Sequence, residues 1–266
     1  MLERFLYRLS RSRYADSFML KGAMLFAVWE AEPHRPTRDI DLLGLGEDSS
    51  ERLVSILADV CTAEVLEDGA IFDAARIGVR EIRGGDARGR RARVRARLGN
   101  ARLSVQVDVG FGDLVVPHGQ PVELPTLLDF PAPRLRVYPV EAVIAEKLHA
   151  MAEHGMLSSR MKDIYDAVAL AERLEFDGSR LCAAVRATFE SRGRPAGEIP
   201  APLTEEFAAD AGALARWNAF MRRNRLSALD LATAVERARA FLLEPLAALL
   251  ADEAFAKHWS PGGPWQ

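Results

Sequence analysis

Two aspartates stand two residues apart in the run Asp39-Ile40-Asp41-Leu42-Leu43, where every other position is apolar. Such a run reads as a short strand, and residues i and i+2 of a strand project from one face. Two carboxylates side by side repel unless a cation lies between them. Mg²⁺ or Mn²⁺ suits that gap, because a hard divalent ion takes few carboxylates, keeps several waters and accepts phosphate oxygens. Upstream, Lys21-Gly22-Ala23 closes a second apolar run, Phe18-Met19-Leu20, and opens a compact apolar segment. Glycine at a strand-to-helix turn lets backbone amides approach an anion, and a helix N-terminus favours negative charge. Together the two pieces describe a place for a metal-bound triphosphate. The Asp-x-Asp pair alone is a weak signal: a chain with 17 aspartates in 266 residues holds about one by chance. A solvated acidic turn is the competing reading.

A third acid stands in Val105-Gln106-Val107-Asp108-Val109. A lone aspartate amid valines is costly to bury without a partner. Either its face is exposed, or this strand lies beside Asp39 and Asp41 and completes a set of three. Asp113, after Gly112, reads as a turn residue. Arg83, Arg88, Arg90, Arg91, Arg93, Arg95, Arg97 and Arg102 crowd one hairpin. Arg91, Arg93, Arg95 and Arg97 alternate with Ala92, Val94, Ala96 and Leu98, which puts four guanidiniums on one strand face. That pattern either protects an edge strand by charge or tracks the phosphates of an RNA acceptor. No aromatic residue interleaves the arginines, so base stacking is not indicated, and a folded RNA read by shape, such as tRNA, fits better than a single strand. His34, His118, His149 and His154 form no ligand spacing.

The elements that must position these residues follow from pattern. Leu2, Phe5, Leu6 and Leu9 fall at helical spacing. A helix over 23–29 is stopped by Pro33 and Pro36, and the strand carrying Asp39 is ended by Gly44 and Gly46. Residues 50–60 read as a helix with Ser49 or Ser50 as N-cap. From 77 to 109 the period is two, with turns at Gly84-Gly85 and Gly99-Asn100, which predicts three antiparallel strands. The proline-rich stretch 113–139 reads as loop, short strand and linker. Beyond it the pattern is helical over 140–153, 160–174, 179–189, 204–223 and 228–250, with the tail SPGGPWQ frayed. The expected fold class is α+β, with one domain over 1–135 and a helical domain over 136–266.

Composition narrows the class further. The chain is 49% hydrophobic and 27% charged, as expected of a globular protein rather than a disordered one. Its formal net charge of -3 means that any nucleic-acid surface is local. Cys61 and Cys182 are far apart, which argues against a zinc site or disulfide framework and fits a reducing compartment. The N-terminal run lacks a continuous apolar stretch, and nowhere do about 18 apolar residues run together. A cytoplasmic protein without a membrane span is expected.

The stretch LKGAMLFAVWEAEPHRPTRDIDLLG resembles the signature of the AbiEii/AbiGii toxin family, nucleotidyltransferase-like proteins of bacterial toxin–antitoxin and phage-defence operons. The matching residues are Gly22, Ala23, Arg35, Thr37, Arg38, Asp39 and Asp41. Ala23 departs from the serine or second glycine common in the wider polymerase-β-like superfamily, leaving only a backbone amide for a phosphate. The segments around Glu146-Lys147-Leu148-His149-Ala150 and Arg160-Met161-Lys162-Asp163 are similar to the family as well. The resemblance implies a polymerase-β-like nucleotidyltransferase core followed by a helical domain. It implies metal ligation by Asp39, Asp41 and Asp108, and nucleotide contacts from Lys21, Gly22, Ala23, Thr37, Arg38 and Lys147, with Asp163 supporting the site. Without it, Lys147 beside an apolar stripe reads as a lysine that snorkels to solvent. Further implied are an NTP substrate, a tRNA 3′-end acceptor and a separately encoded antitoxin. Transfer to a protein or small molecule, and a catalytically silent binding module, are the alternatives.

Overall fold

The computed structural model describes residues 1–30, 32–82, 88–193 and 196–266. Arg83 and the turn expected at Gly84-Gly85 lie outside the described residues. The chain divides into two compact units, Met1–Asp113 with His118–Tyr138, and Leu114–Pro117 with Pro139–Gln266.

In chain order the first unit contains α1 (Leu2–Arg11), β1 (Phe18–Lys21), a 3₁₀ turn (Gly22–Leu25), α2 (Phe26–Trp29), β2 (Asp39–Gly44) and α3 (Ser50–Cys61). The strands β3 (Ala70–Glu81), β4 (Arg88–Leu98), β5 (Ala101–Phe111), β6 (Gln120–Glu123) and β7 (Arg134–Val137) follow. All seven strands form one mixed sheet in the order β3-β4-β5-β2-β1-β7-β6. β3, β4 and β5 are an antiparallel meander, β5 runs parallel to β2, β2 antiparallel to β1, and β1 parallel to β7. β3 starts earlier than the period-two pattern suggests, because its register shifts between Phe72 and Ile77 and the alternation is lost there. The stretch read as linker contributes two short strands, too brief and proline-rich for periodicity to show.

One sheet face is the core. Leu20, Ile40, Leu42, Ala92, Val94, Val105, Val107 and Val109 are buried there, together with Phe5, Leu6 and Leu9 of α1 and Leu53, Leu57 and Val60 of α3. Ser49 caps α3 by accepting a hydrogen bond from the Arg52 amide. α1 is pinned by two buried arginines: Arg8 donates to both Asp68 oxygens at 2.7 and 2.9 Å and to Ala70 O at 3.0 Å, and Arg4 pairs with Asp68 at 3.2 Å. These bonds fix the helix against the start of β3.

The second unit holds α4 (Val140–His154), α5 (Met161–Arg173), β8 (Phe176–Asp177), α6 (Gly178–Ser191), α7 (Glu205–Ala209), α8 (Ala211–Asn224), α9 (Leu231–Leu250) and β9 (His258–Trp259). The single helix expected over 204–223 is two. Asp210 leaves the helical region (φ -69, ψ 122) and caps α8, its side chain accepting the Ala213 amide at 2.6 Å. An aspartate offers this alternative to helix continuation because its short carboxylate reaches the free amides. Among the described residues no helix is long and apolar enough to cross a membrane.

The tail is ordered, against the expectation of fraying. β9 pairs with β8, and His258 and Gln266 exchange backbone hydrogen bonds. Trp259 and Trp265 are buried, and their ring N–H groups donate to Ala171 O and Phe241 O, each at 2.8 Å. Trp265 stacks on Phe241 at 5.7 Å between centroids. Apolar area from two tryptophans outweighs the entropy of fixing a short glycine- and proline-containing turn. Trp265→Ala is expected to lower stability by about 3–5 kcal/mol, read from the urea midpoint by far-UV circular dichroism. A change within experimental error would mean that the tail is dispensable.

Candidate active site

Register across the central strands sets a row of side chains on the open face of the sheet. Lys21 stands opposite Asp41, Asp41 opposite Asp108, and Asp108 opposite Arg91. Asp39 stands opposite Gln106 one step along. Partners in register share a face, so the acids project away from the valine core. One carboxylate oxygen each from Asp39, Asp41 and Asp108 lies within 4.8 Å of the others, and all three residues are half-buried.

Each acid has a local support. Thr37 Oγ1 donates to Asp39 Oδ1 at 2.8 Å. Asp41 folds against the backbone of Gly22, where a Cβ would fall 2.1 Å from Asp41 Oδ2. Gly22 also has φ +73, a conformation that glycine adopts without steric cost. Two independent requirements therefore place glycine at this turn. Ala23, which follows, is buried. Asp108 is gripped at both oxygens: Arg91 Nε donates to Oδ1 at 2.8 Å and Nη2 to Oδ2 at 2.6 Å, with Gln106 Nε2 near Oδ2 at 3.4 Å. These bonds to Asp108 hold the Arg91 guanidinium above its ordinary pKa, against a smaller lowering by burial, and the charges of Asp108, Asp39 and Asp41 add to the rise.

Lys21 ends the row. Its Nζ pairs with Asp113 at 3.0 Å and lies 5.3 Å from the centre of the Tyr138 ring. Asp113, read as a turn residue, is thus the partner of a site lysine. Arg38 is exposed beside the acids in sequence. Arg93, Arg95 and Arg97 are exposed on the face that carries the acids, and Arg97 stands opposite Arg102. With Arg76 these four line a groove of about 1110 Å³.

Lys147 and Asp163 belong to the second unit and meet there. Lys147 Nζ lies 2.6 Å from Asp166 Oδ2 and 3.7 Å from Asp163 Oδ1, and Arg160 Nε donates to Asp163 Oδ2 at 2.7 Å. Lys147, Asp163 and Asp166 are all buried, so Lys147 does not snorkel to solvent. Asp163 and Asp166 are one turn apart on α5 and so face the same lysine. Asp166, the nearer partner, escaped the sequence reading, although its i+3 spacing from Asp163 was a usable signal. His149 is fully buried with its ring edge against Phe189 at 4.9 Å, a structural histidine.

The donor set of the first unit is all oxygen, half-exposed and convergent, which fits a hard divalent cation that keeps several waters. Asp39, Asp41 and Asp108 are the residues that would hold it. When bound, such an ion supplies positive charge to phosphate oxygens.

Residues 4–259 match the family described as nucleotidyl transferase AbiEii toxin, type IV toxin–antitoxin system. Among solved structures, the fold is similar to that of a candidate nucleotidyltransferase from H. pylori, with TM-score 0.50 and 14% identity over 94% of this chain and 91% of that one. It is similar to the same degree to JHP933 from Helicobacter pylori, with TM-score 0.50 and 14% identity over 94% of this chain and 88% of that one. Identities at this level speak for the fold alone. No curated protein matches the sequence.

The contact between Gly22 and Asp41 is testable by a double-mutant cycle. Gly22→Ala is expected to cost about 2 kcal/mol in the wild type, from the positive φ and the displaced carboxylate. In an Asp41→Ala background it should cost roughly 1 kcal/mol less, because only the backbone strain remains. Strict additivity in urea unfolding would show that the two residues do not press on each other.

Proposed function

This chain belongs to the AbiEii nucleotidyl transferase toxin family of type IV toxin–antitoxin systems, and from that premise we propose that it moves a nucleoside monophosphate from an NTP to the 3′ end of tRNA. In that reaction the acceptor hydroxyl oxygen bonds to the α-phosphorus, the bond to the pyrophosphate oxygen breaks, and the hydroxyl proton passes to a nearby carboxylate such as Asp108. Asp39 and Asp41, with Asp108, bind Mg²⁺ or Mn²⁺. Lys21, the Gly22-Ala23 turn and Arg38 steady the triphosphate, and Thr37 fixes Asp39. An antitoxin encoded separately restrains the enzyme, the setting is phage defence, and an NTP substrate makes the cytoplasm its site of action.

The observation that carries this reading is the convergence of three carboxylates from two neighbouring strands beside a glycine turn shaped to one of them. Positioning and electrostatic stabilisation are most of what phosphoryl-group chemistry asks of a protein. The RNA acceptor is favoured by the arginine groove on the same sheet face, since exposed guanidiniums there can follow a phosphate backbone without reading sequence.

The test is incubation of the purified protein with Mg²⁺, total tRNA and each α-³²P-labelled NTP in turn. Label should reach tRNA with at least one nucleotide, and Asp39→Ala/Asp41→Ala should lower the rate on the order of a thousandfold. Label on protein or a small molecule instead would refute the tRNA acceptor. Folded protein that transfers none of the four nucleotides would remove the catalytic reading altogether.

A further inference from the structure

Asp108 differs from the other two acids in its surroundings. Both of its oxygens face one guanidinium, held by two short hydrogen bonds to Arg91. The pair is a fork-to-fork arrangement, the strongest geometry available to a guanidinium and a carboxylate. Arg91 is fixed there by backbone register, since β4 and β5 place it directly opposite Asp108. Asp108 in turn stands directly opposite Asp41. The guanidinium is therefore the positive charge nearest the acidic row on the β4 side, where a divalent ion shared by the three acids would also need Asp108.

Two cations competing for one carboxylate repel each other at short range, and more so where the site is only half-solvated. The side chain of Arg91 is about a third exposed while that of Asp108 is far more covered, so the arginine is the partner with room to leave. Its neighbours on that face are Arg80, opposite it on β3, and Arg93, two residues along β4, both exposed. Once released, Arg91 joins an all-cationic patch next to the acids, a place suited to substrate phosphates. Gln106 remains as a neutral neighbour of Asp108.

We propose that Arg91 is an internal stand-in for the cation: it pairs with Asp108 before a divalent ion binds, yields Asp108 when the ion arrives, and then faces the phosphates of the NTP. The proposal rests on the metal-binding reading of Asp39, Asp41 and Asp108. It makes Arg91 a competitor of the ion, whereas an arginine that merely orients Asp108 would assist it.

The experiment titrates the full-length protein with Mn²⁺ alone, following free Mn²⁺ by electron paramagnetic resonance, for wild type, Arg91→Met, Arg91→Lys and Asp108→Asn. Arg91→Met is expected to bind Mn²⁺ at least about tenfold more tightly, with Arg91→Lys between it and the wild type and Asp108→Asn binding weakest. Its Tm without metal should fall below that of the wild type, and Mn²⁺ should raise it by more. At saturating Mn²⁺ the KM for the NTP should rise about tenfold in Arg91→Met, as expected for loss of one charged contact. Equal or weaker Mn²⁺ affinity in Arg91→Met overturns the competition and leaves the metal site standing. An unchanged KM overturns the turn toward the NTP. Absence of Mn²⁺ binding in both wild type and Arg91→Met, with a folded protein, removes the metal reading itself and the proposal with it.

Discussion

The parallel pairing of β2 with β5 is the constraint from which the rest of the first unit follows. It sets Asp41 against Asp108 and, on the opposite face, Ile40 and Leu42 against the row of Val105, Val107 and Val109. Because side chains alternate with period two, a slip of one residue in β2 would send Asp39 and Asp41 into the apolar core and Ile40 and Leu42 to the open face. Burying unpaired carboxylates costs several kcal/mol each by rough reckoning, so the hydrophobic pattern and the acidic row lock each other's register. Burial of one face is thus the force that assembles a repulsive cluster on the other.

That cluster needs compensation, and the surrounding residues supply it in different ways. Thr37 gives Asp39 a neutral donor, Gly22 gives Asp41 space, and Arg91 gives Asp108 a full opposite charge. Lys21, next in the row, pairs with Asp113. The second unit solves a similar problem internally: Asp163 and Asp166 are buried opposite Lys147, with Arg160 as a second cation. Lys147 and Arg160 each meet an acid there, which suits a rigid buried network.

Much of the fold could be read directly where the pattern was long and local. The helices α1, α3, α4, α5 and α6, and the strands carrying Asp39 and Asp108, follow from periodicity and caps. Reading failed where a local signal competed with a longer one. Asp210 interrupts an otherwise continuous helical pattern because its carboxylate caps the next helix, and the bulge between Phe72 and Ile77 hides the start of β3. The strands β6 and β7 are too short for a period to register. The tail is ordered against its glycine and proline content, because that content describes the cost of ordering a segment and not the apolar area that tryptophan burial gains.

By itself the sequence determined which side chains could do chemistry, and more of their arrangement than a linear reading extracts. A hairpin turning at Gly99-Asn100 pairs residues equally distant from the turn, so Arg91 opposite Asp108 was already implied by the turn that the pattern located. Spacing on one strand likewise put Asp39 and Asp41 on one face. Tertiary structure alone decided what came from separate parts of the chain. The parallel contact of β2 with β5 has no connecting turn to fix its register. The close approach of Asp41 to Gly22, the pairing of Lys21 with Asp113 and the burial of Trp265 also depend on packing between distant segments. Local pattern is written in neighbouring residues, whereas these contacts arise only when hydrophobic burial brings remote ones together.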